Sequence, residues 1–283
     1  MTETAATVQT RRPISIEGFS SVKPPENLGS APILQWIEID LLVVDETYQR
    51  PITGVGATNI RKIAQAFDWS KFAPVIVAPV EGGRYAIVDG QHRTTAAMLA
   101  GVASVPCQVI MASRQQQAAA FKAVNASVTK VAATVLHAAV VAAGEAEALE
   151  IQRVCEAAGV VIMKCPRSVD RMKPGETLSI GAIKAAIRSL GSDVVITALQ
   201  CVTETSNNSP GALSADVVTA LCAVIGANVE WRDAGLSLLE AFDRIEIEQE
   251  ASAVRFSPRE KGVPFWGVLA ERLELRISEE LAK

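Results

Sequence analysis

The chain has 283 residues, 49% of them hydrophobic, 20% charged and only 5% aromatic, which excludes a disordered tail and leaves room for one large domain or two modest ones. Its formal net charge of −4 excludes a global basic field, so any contact with nucleic acid must come from a local patch. Five scattered cysteines (Cys107, Cys155, Cys165, Cys201, Cys222) form no Cys-x-x-Cys pair and have only two histidines to join them; neither a zinc site nor a disulfide scaffold is expected, and a reducing cytoplasm fits.

Residues 1–30 are rich in Thr, Ser and Pro, with Pro24-Pro25 and Gly29 and no sustained period, and read as a flexible leader. Arg11 and Arg12 are followed by no apolar stretch, so no signal peptide is expected. Residues 33–44 are rich in β-formers and suit one strand or two short ones. In residues 59–67, Ile60, Ile63, Ala64 and Phe67 share one helical face. Residues 74–79 form a short buried strand bracketed by prolines, and Glu81-Gly82-Gly83 turns the chain into a second strand over 84–88. A helix over 91–100 is stopped by Gly101, and a strand over 105–111 and a helix over 114–125 come next. Strands alternating with helices at this pitch indicate a layered α/β or α+β unit over residues 31–128.

After Val128 nearly everything reads as helix, which predicts a second, helical domain over 129–283. Its expected helices cover 129–143, 145–158, 180–190, 193–203, 215–225, 233–246 and 265–281, with Ser179 as an N-cap and Gly191 as a stop. The longest apolar run, 131–143, is interrupted by Thr134 and His137 and is too short to span a bilayer, so no membrane partner is expected. His137 reads as a packed residue. Residues 181–190, Gly191-Ser192 and the next helix are compatible with a helix-turn-helix. Basic residues cluster at Lys164–Lys173, with Arg167 and Arg171, and at Arg255–Lys261, with Arg259; both read first as solvated surface. The mixed charges of Glu271, Arg272, Glu274 and Arg276 suggest a solvent-facing stripe or a subunit contact in a homodimer.

The chemistry concentrates in Asp89-Gly90-Gln91-His92-Arg93, between a strand and a helix. The first amides of a helix have no internal partners and sit at the positive end of its dipole. Gly90 lets the backbone turn tightly, Arg93 supplies a permanent cation, and His92 a donor that charges near neutral pH. Together they make an anion site. The competing reading is that Asp89 caps the helix and occupies those amides itself, with His92 and Arg93 left to solvent. The second element is Asp45-Glu46-Thr47-Tyr48-Gln49-Arg50-Pro51, where Arg50 either meets the same anion across a cleft or sits in a surface turn stiffened by Pro51.

Tyr48-Gln49-Arg50-Pro51, then a helix, two strands and Asp89-Gly90-Gln91-His92-Arg93 with Ala96-Ala97, resembles the ParB/sulfiredoxin fold. The resemblance covers residues 33–125 and implies an α+β domain that holds a nucleoside triphosphate, CTP or ATP. It assigns Gly90, Gln91, His92 and Arg93 to the phosphate-binding turn, Arg50 to the first box, and Asn125 to the third ParB nucleotide motif. Two departures narrow it. Gln91 stands where sulfiredoxins carry the catalytic cysteine, and an amide is no thiolate, which excludes sulfinic acid reduction. Val124 stands where ParB proteins have a glutamate associated with Mg²⁺, so the resemblance leaves a part for Mg²⁺, and metal-dependent CTP switching with it, open.

The pattern resembles a divergent branch met on plasmids and phages. It implies three candidate functions: a nucleotide-binding protein acting on or near DNA, a nuclease with His92 as general base and Asp89 as metal ligand, and a non-enzymatic interaction protein. Turnover of the nucleotide is left open among them.

Overall fold

In a computed structural model, residues 13–49, 51–126, 131–165, 167–257 and 262–283 are described. The chain divides into two compact units, Met1–Val128 and Thr129–Lys283. Residues 13–32 form no regular element and are exposed. Among the described residues no helix is long and apolar enough to cross a membrane.

The first unit is a five-stranded mixed sheet in the order β1-β5-β3-β4-β2 with three helices. The stretch read as one strand or two is two: β1 (Ile33–Glu38) and β2 (Leu42–Val43) lie at opposite edges, joined by one turn of 3₁₀ helix. Helix α1 (Gly54–Gln65) starts a turn and a half earlier than its apolar periodicity suggested, since Gly54 and Gly56 in its first turn have no side chain to mark a face. Gly56 is buried in the helix, so its missing side chain serves a close approach.

Strand β3 (Val75–Val80) is central, flanked by β4 (Arg84–Asp89) antiparallel and β5 (Ser104–Val109) parallel. Its residues Val75, Val77 and Ala78 are completely buried, as expected for a strand covered on both faces. Helix α2 (Gln91–Leu99) buries Ala96 and Ala97, small residues that let it lie close to the sheet. Helix α3 (Arg114–Ala126) completes the unit.

The second unit contains α4 (Ala133–Ala142), α5 (Ala146–Ala157), α6 (Ile180–Leu190), α7 (Ser192–Thr203), α8 (Ala215–Ala227), α9 (Val229–Asp233), α10 (Leu236–Asp243), α11 (Ile247–Phe256) and α12 (Phe265–Leu281). Residues 129 and 130 of the first expected helix lie outside the described residues. A two-stranded parallel ladder, β6 (Val161–Ile162) with β7 (Glu176–Thr177), had no sequence signal, being two residues long. The helix expected over 233–246 is broken at Gly235, whose φ of +55° leaves the helical region, and α11 comes after it unforeseen.

Helices α7 and α8 form the core, and Leu269, Leu273 and Ile277 of α12 lay a fully buried stripe at four-residue spacing against it. Ser179 does occupy the N-cap of α6, but its hydroxyl donates to the carbonyl of Leu213 and caps nothing. The helix-turn-helix expectation meets an obstacle. Only Gly191 separates α6 from α7, and α7 buries Val194, Val195, Ala198, Leu199, Cys201 and Val202. A helix so enclosed has little face left to enter a groove.

His137 is half-buried, and burial, with the Lys184 charge second, holds its pKa below the ordinary value. Arg272 and Arg276 both pair with Glu250, so part of the charged stripe on α12 closes on its own unit. Arg259 and Lys261 of the second basic cluster lie outside the described residues.

Candidate phosphate-binding cleft

Strand β4 hands the chain to α2 through Gly90, which adopts φ +108° and ψ +14°. A Cβ there would sit 3.0 Å from Arg93 Nη2 and 3.2 Å from Val75 Cγ1, so the position requires glycine on both conformational and steric grounds. Gly90 is itself the N-cap of α2 and has no side chain with which to cap it. Asp89 does not do so either: its Oδ2 accepts from Arg93 Nη2 at 3.1 Å, one turn along. Among the described residues, no acceptor meets the backbone N–H groups of Gln91, His92 or Arg93, and the first closed bond of the helix is Thr94 N–H to Gly90 O at 2.9 Å. Three amides therefore point out of the positive end of the helix dipole.

Arg93 is anchored from two sides, to Asp89 and to the carbonyl of Pro74 at 3.2 Å, while its Nε is buried without an acceptor among the described residues. The His92 ring lies against the backbone of α1, and a Cβ on Gly56 would come within 3.2 Å of both Cε1 and Nε2. Buried Gly56 thus exists to admit this imidazole.

The opposite wall comes from the Tyr48 segment. Gln49, buried to 9% exposure, donates through Nε2 to the carbonyls of Ile87 (3.1 Å) and Val88 (3.0 Å) on β4. Tyr48 Oη lies 3.4 Å from both Ile87 O and Gln117 Oε1, and its ring packs on Phe121 of α3 at 5.7 Å between centroids. Burial raises the Tyr48 pKa above its ordinary value. Asp45 accepts from Arg114 Nε at 2.8 Å and Nη2 at 3.2 Å, and from Thr47. The Arg114 bond, with Thr47 second, holds its carboxyl well below the usual carboxylate range. Strand, loop and α3 are thereby fastened together.

The result is a polar cleft of about 790 Å³ lined by Tyr48, Gln49, Asn59, Ile63, Asp89, Gly90, Gln91, His92, Arg93, Phe121 and Asn125. Asp89, Gly90, Gln91, His92, Arg93 and Asn125, the described residues singled out in the sequence, all line it. Asn125 donates to Phe121 O at 2.8 Å. Arg50 lies outside the described residues; its neighbour Gln49 lines this cleft, and Pro51 lines an adjoining one of about 700 Å³. His92 and Asn59 line both.

Asn59 and Phe121 escaped the sequence reading because each sits on a helix face whose orientation depends on tertiary packing. Val124 stays where a metal-associated glutamate was sought, and among the described residues no three His, Cys, Asp or Glu side chains gather. This donor set does not fit a protein-held metal ion.

Among solved structures, the chain is similar to the C-terminally truncated chromosome-partitioning protein ParB from Caulobacter crescentus complexed with CTP-gamma-S, at 16% identity over 68% of this chain and 98% of that one, with a TM-score of 0.36. It is also similar to that protein complexed to the centromeric parS site, at 16% identity over 76% and 99%, with a TM-score of 0.28. No curated protein matches the chain. The family model of the ParB N-terminal domain matches residues 27–126. The segment that holds the whole cleft is thus the one that matches the ParB N-terminal domain model, as the order of its two motifs implied.

Proposed function

We propose that the protein binds a nucleoside triphosphate, CTP or ATP, in the cleft at the Gly90 turn. The observation that carries this is the uncapped start of α2: three free amides and the guanidinium of Arg93 at a turn where Asp89 has been drawn aside. An Asp89 cap would have consumed the amides. Its pairing with Arg93 leaves them for an anion and fixes the arginine beside them. The phosphates rest on Gln91, His92 and Arg93, His92 donates a hydrogen bond from its place against Gly56, and Arg50 acts from the first box. Asn125 sits at the far wall of the same cleft. The match of residues 27–126 to the ParB N-terminal domain supports the same reading and extends it to action on or near DNA.

Isothermal titration of the full chain against CTP, ATP and GTP tests the nucleotide. Saturable binding of at least one, weakened at least ten-fold by Arg93→Ala, is expected. Absence of binding to all three by a protein with an intact circular dichroism spectrum refutes the proposal. Release of inorganic phosphate, monitored in the same samples, separates turnover from binding. A mobility shift on duplex DNA with and without the nucleotide tests the second half of the reading.

A further inference from the structure

The hydrogen bonds of Gln49 bear on a feature of β4 that neither motif explains. Strand β2 pairs with β4 only at Leu42 with Tyr85 and Val43 with Ala86, then leaves the sheet. On the other side, β3 and β4 change register: Val77 faces Ile87 and Ile76 faces Asp89, so Val88 is an extra residue. That is a β-bulge, which bends a strand and re-aims the residues beyond it. Here those residues are Asp89 and Gly90. Val88 is fully buried, so its carbonyl needs a donor, and β2 has already departed. The single Nε2 of Gln49 takes both Ile87 O and Val88 O.

We propose that Gln49 is a positioning residue for the phosphate turn. Its amide replaces the missing strand at the β4 bulge and so sets the direction in which the amides of Gln91, His92 and Arg93 point. The inference rests on the nucleotide reading of the same cleft. Gln49 needs no contact with the ligand; it acts through the backbone at Val88.

The test compares full-length Gln49→Met, equal in length but with no donor, with the unmodified protein. Calorimetry against the triphosphate and the monophosphate of whichever base binds, among CTP, ATP and GTP, gives an affinity ratio that reads the phosphate turn. A purely structural role for Gln49 would lower both affinities together and leave that ratio alone. The ratio is expected to fall at least ten-fold. An unchanged ratio overturns the proposal.

Amide exchange in the ligand-free proteins gives the second reading. Exchange at Thr94, whose N–H closes on Gly90 O, is expected to rise while β5 keeps its protection. Unchanged exchange at Thr94, or a rise spread evenly over the sheet, overturns the proposal. Gln49→Asn, whose amide is one carbon short, replaces Gln49→Met if the latter does not fold, and both readings apply to it. If the unmodified protein binds none of the triphosphates, the proposed function fails, and the exchange pattern alone still decides on Gln49.

Discussion

Replacing Gly90 with alanine perturbs the turn at its tightest point. The residue holds φ +108°, where a side chain costs about 1–2 kcal/mol. The added Cβ would meet Val75 Cγ1 at 3.2 Å and Cγ2 at 3.3 Å, and Val75 is completely buried in the central strand, with nowhere to retreat. Crowding of this kind in a packed core costs about 1–3 kcal/mol. The third contact, Arg93 Nη2 at 3.0 Å, belongs to a flexible side chain, yet one pinned to Pro74 O and Asp89. Together these effects predict a loss of about 2–5 kcal/mol, a large share of the stability of a small domain.

Thermal unfolding of the first unit, monitored by tryptophan fluorescence from Trp36 and Trp69, should move down by roughly 10 °C or more, since a domain of this size shifts about 4–8 °C per kcal/mol. Gly90→Asn separates the two causes, because asparagine tolerates positive φ but still carries the Cβ; it is expected to recover part of the loss. A Gly90→Ala protein that melts within about 2 °C of the unmodified one, with its affinity for nucleotide intact, refutes both the strain and the steric argument.

Gly56→Ala acts on the site and spares the fold: alanine favours the helix by about 0.5–1 kcal/mol, but its Cβ meets the His92 ring at 3.2 Å, so nucleotide affinity should fall with little change in melting temperature. In Arg114→Ala, carbon NMR should find the Asp45 carboxyl titrating higher than in the unmodified protein, yet still below the ordinary value of about 3.9, because the two bonds from Thr47 remain. Because its folded pKa is depressed, the pair stabilises at pH values above the ordinary carboxylate pKa, and this contribution is lost as pH falls through the lower folded value. The stability difference between the two proteins should therefore shrink in acid; a difference that grows there contradicts the assignment. A thiol reagent should modify Cys165, which is exposed, in the native protein and all five cysteines after unfolding, since burial pushes Cys107 up to about 11 and Cys155 and Cys222 to about 12. Rapid native modification of more than one thiol would count against the packing of these helices.

How much of this was legible depended on the range of the forces involved. Gly90 and Gly101 announce themselves because positive φ is a local demand. The strands of the first unit were readable from short apolar runs between turns, and α12 was recovered to the residue because its apolar spacing continues unbroken for seventeen residues. The helix expected over 233–246 ran the end of α9 into α10 because the apolar pattern continues across Gly235, and a lone glycine inside such a pattern does not by itself stop a helix; α11, beyond it, was not foreseen. Helix α7 looked like half of a DNA-binding pair by spacing, yet its six buried residues place it in the core. Local spacing carries no information about which faces are covered.

The cleft divides along the same line. Sequence order alone placed Asp89, Gly90, Gln91, His92 and Arg93 at a helix start, but it could not decide whether Asp89 or a ligand would hold the amides. Both outcomes satisfy local chemistry: a carboxylate before a helix favours the amides, and a carboxylate four residues before an arginine favours the guanidinium. What tips the balance is not local. The carbonyl of Pro74, at the start of the neighbouring strand, holds the Arg93 fork in reach of Asp89, and the bulge at Val88 turns the strand so that Asp89 faces that fork. The free helix start is a consequence of strand pairing, and the amide of Gln49, thirty-nine residues upstream of Val88, is part of what keeps it so.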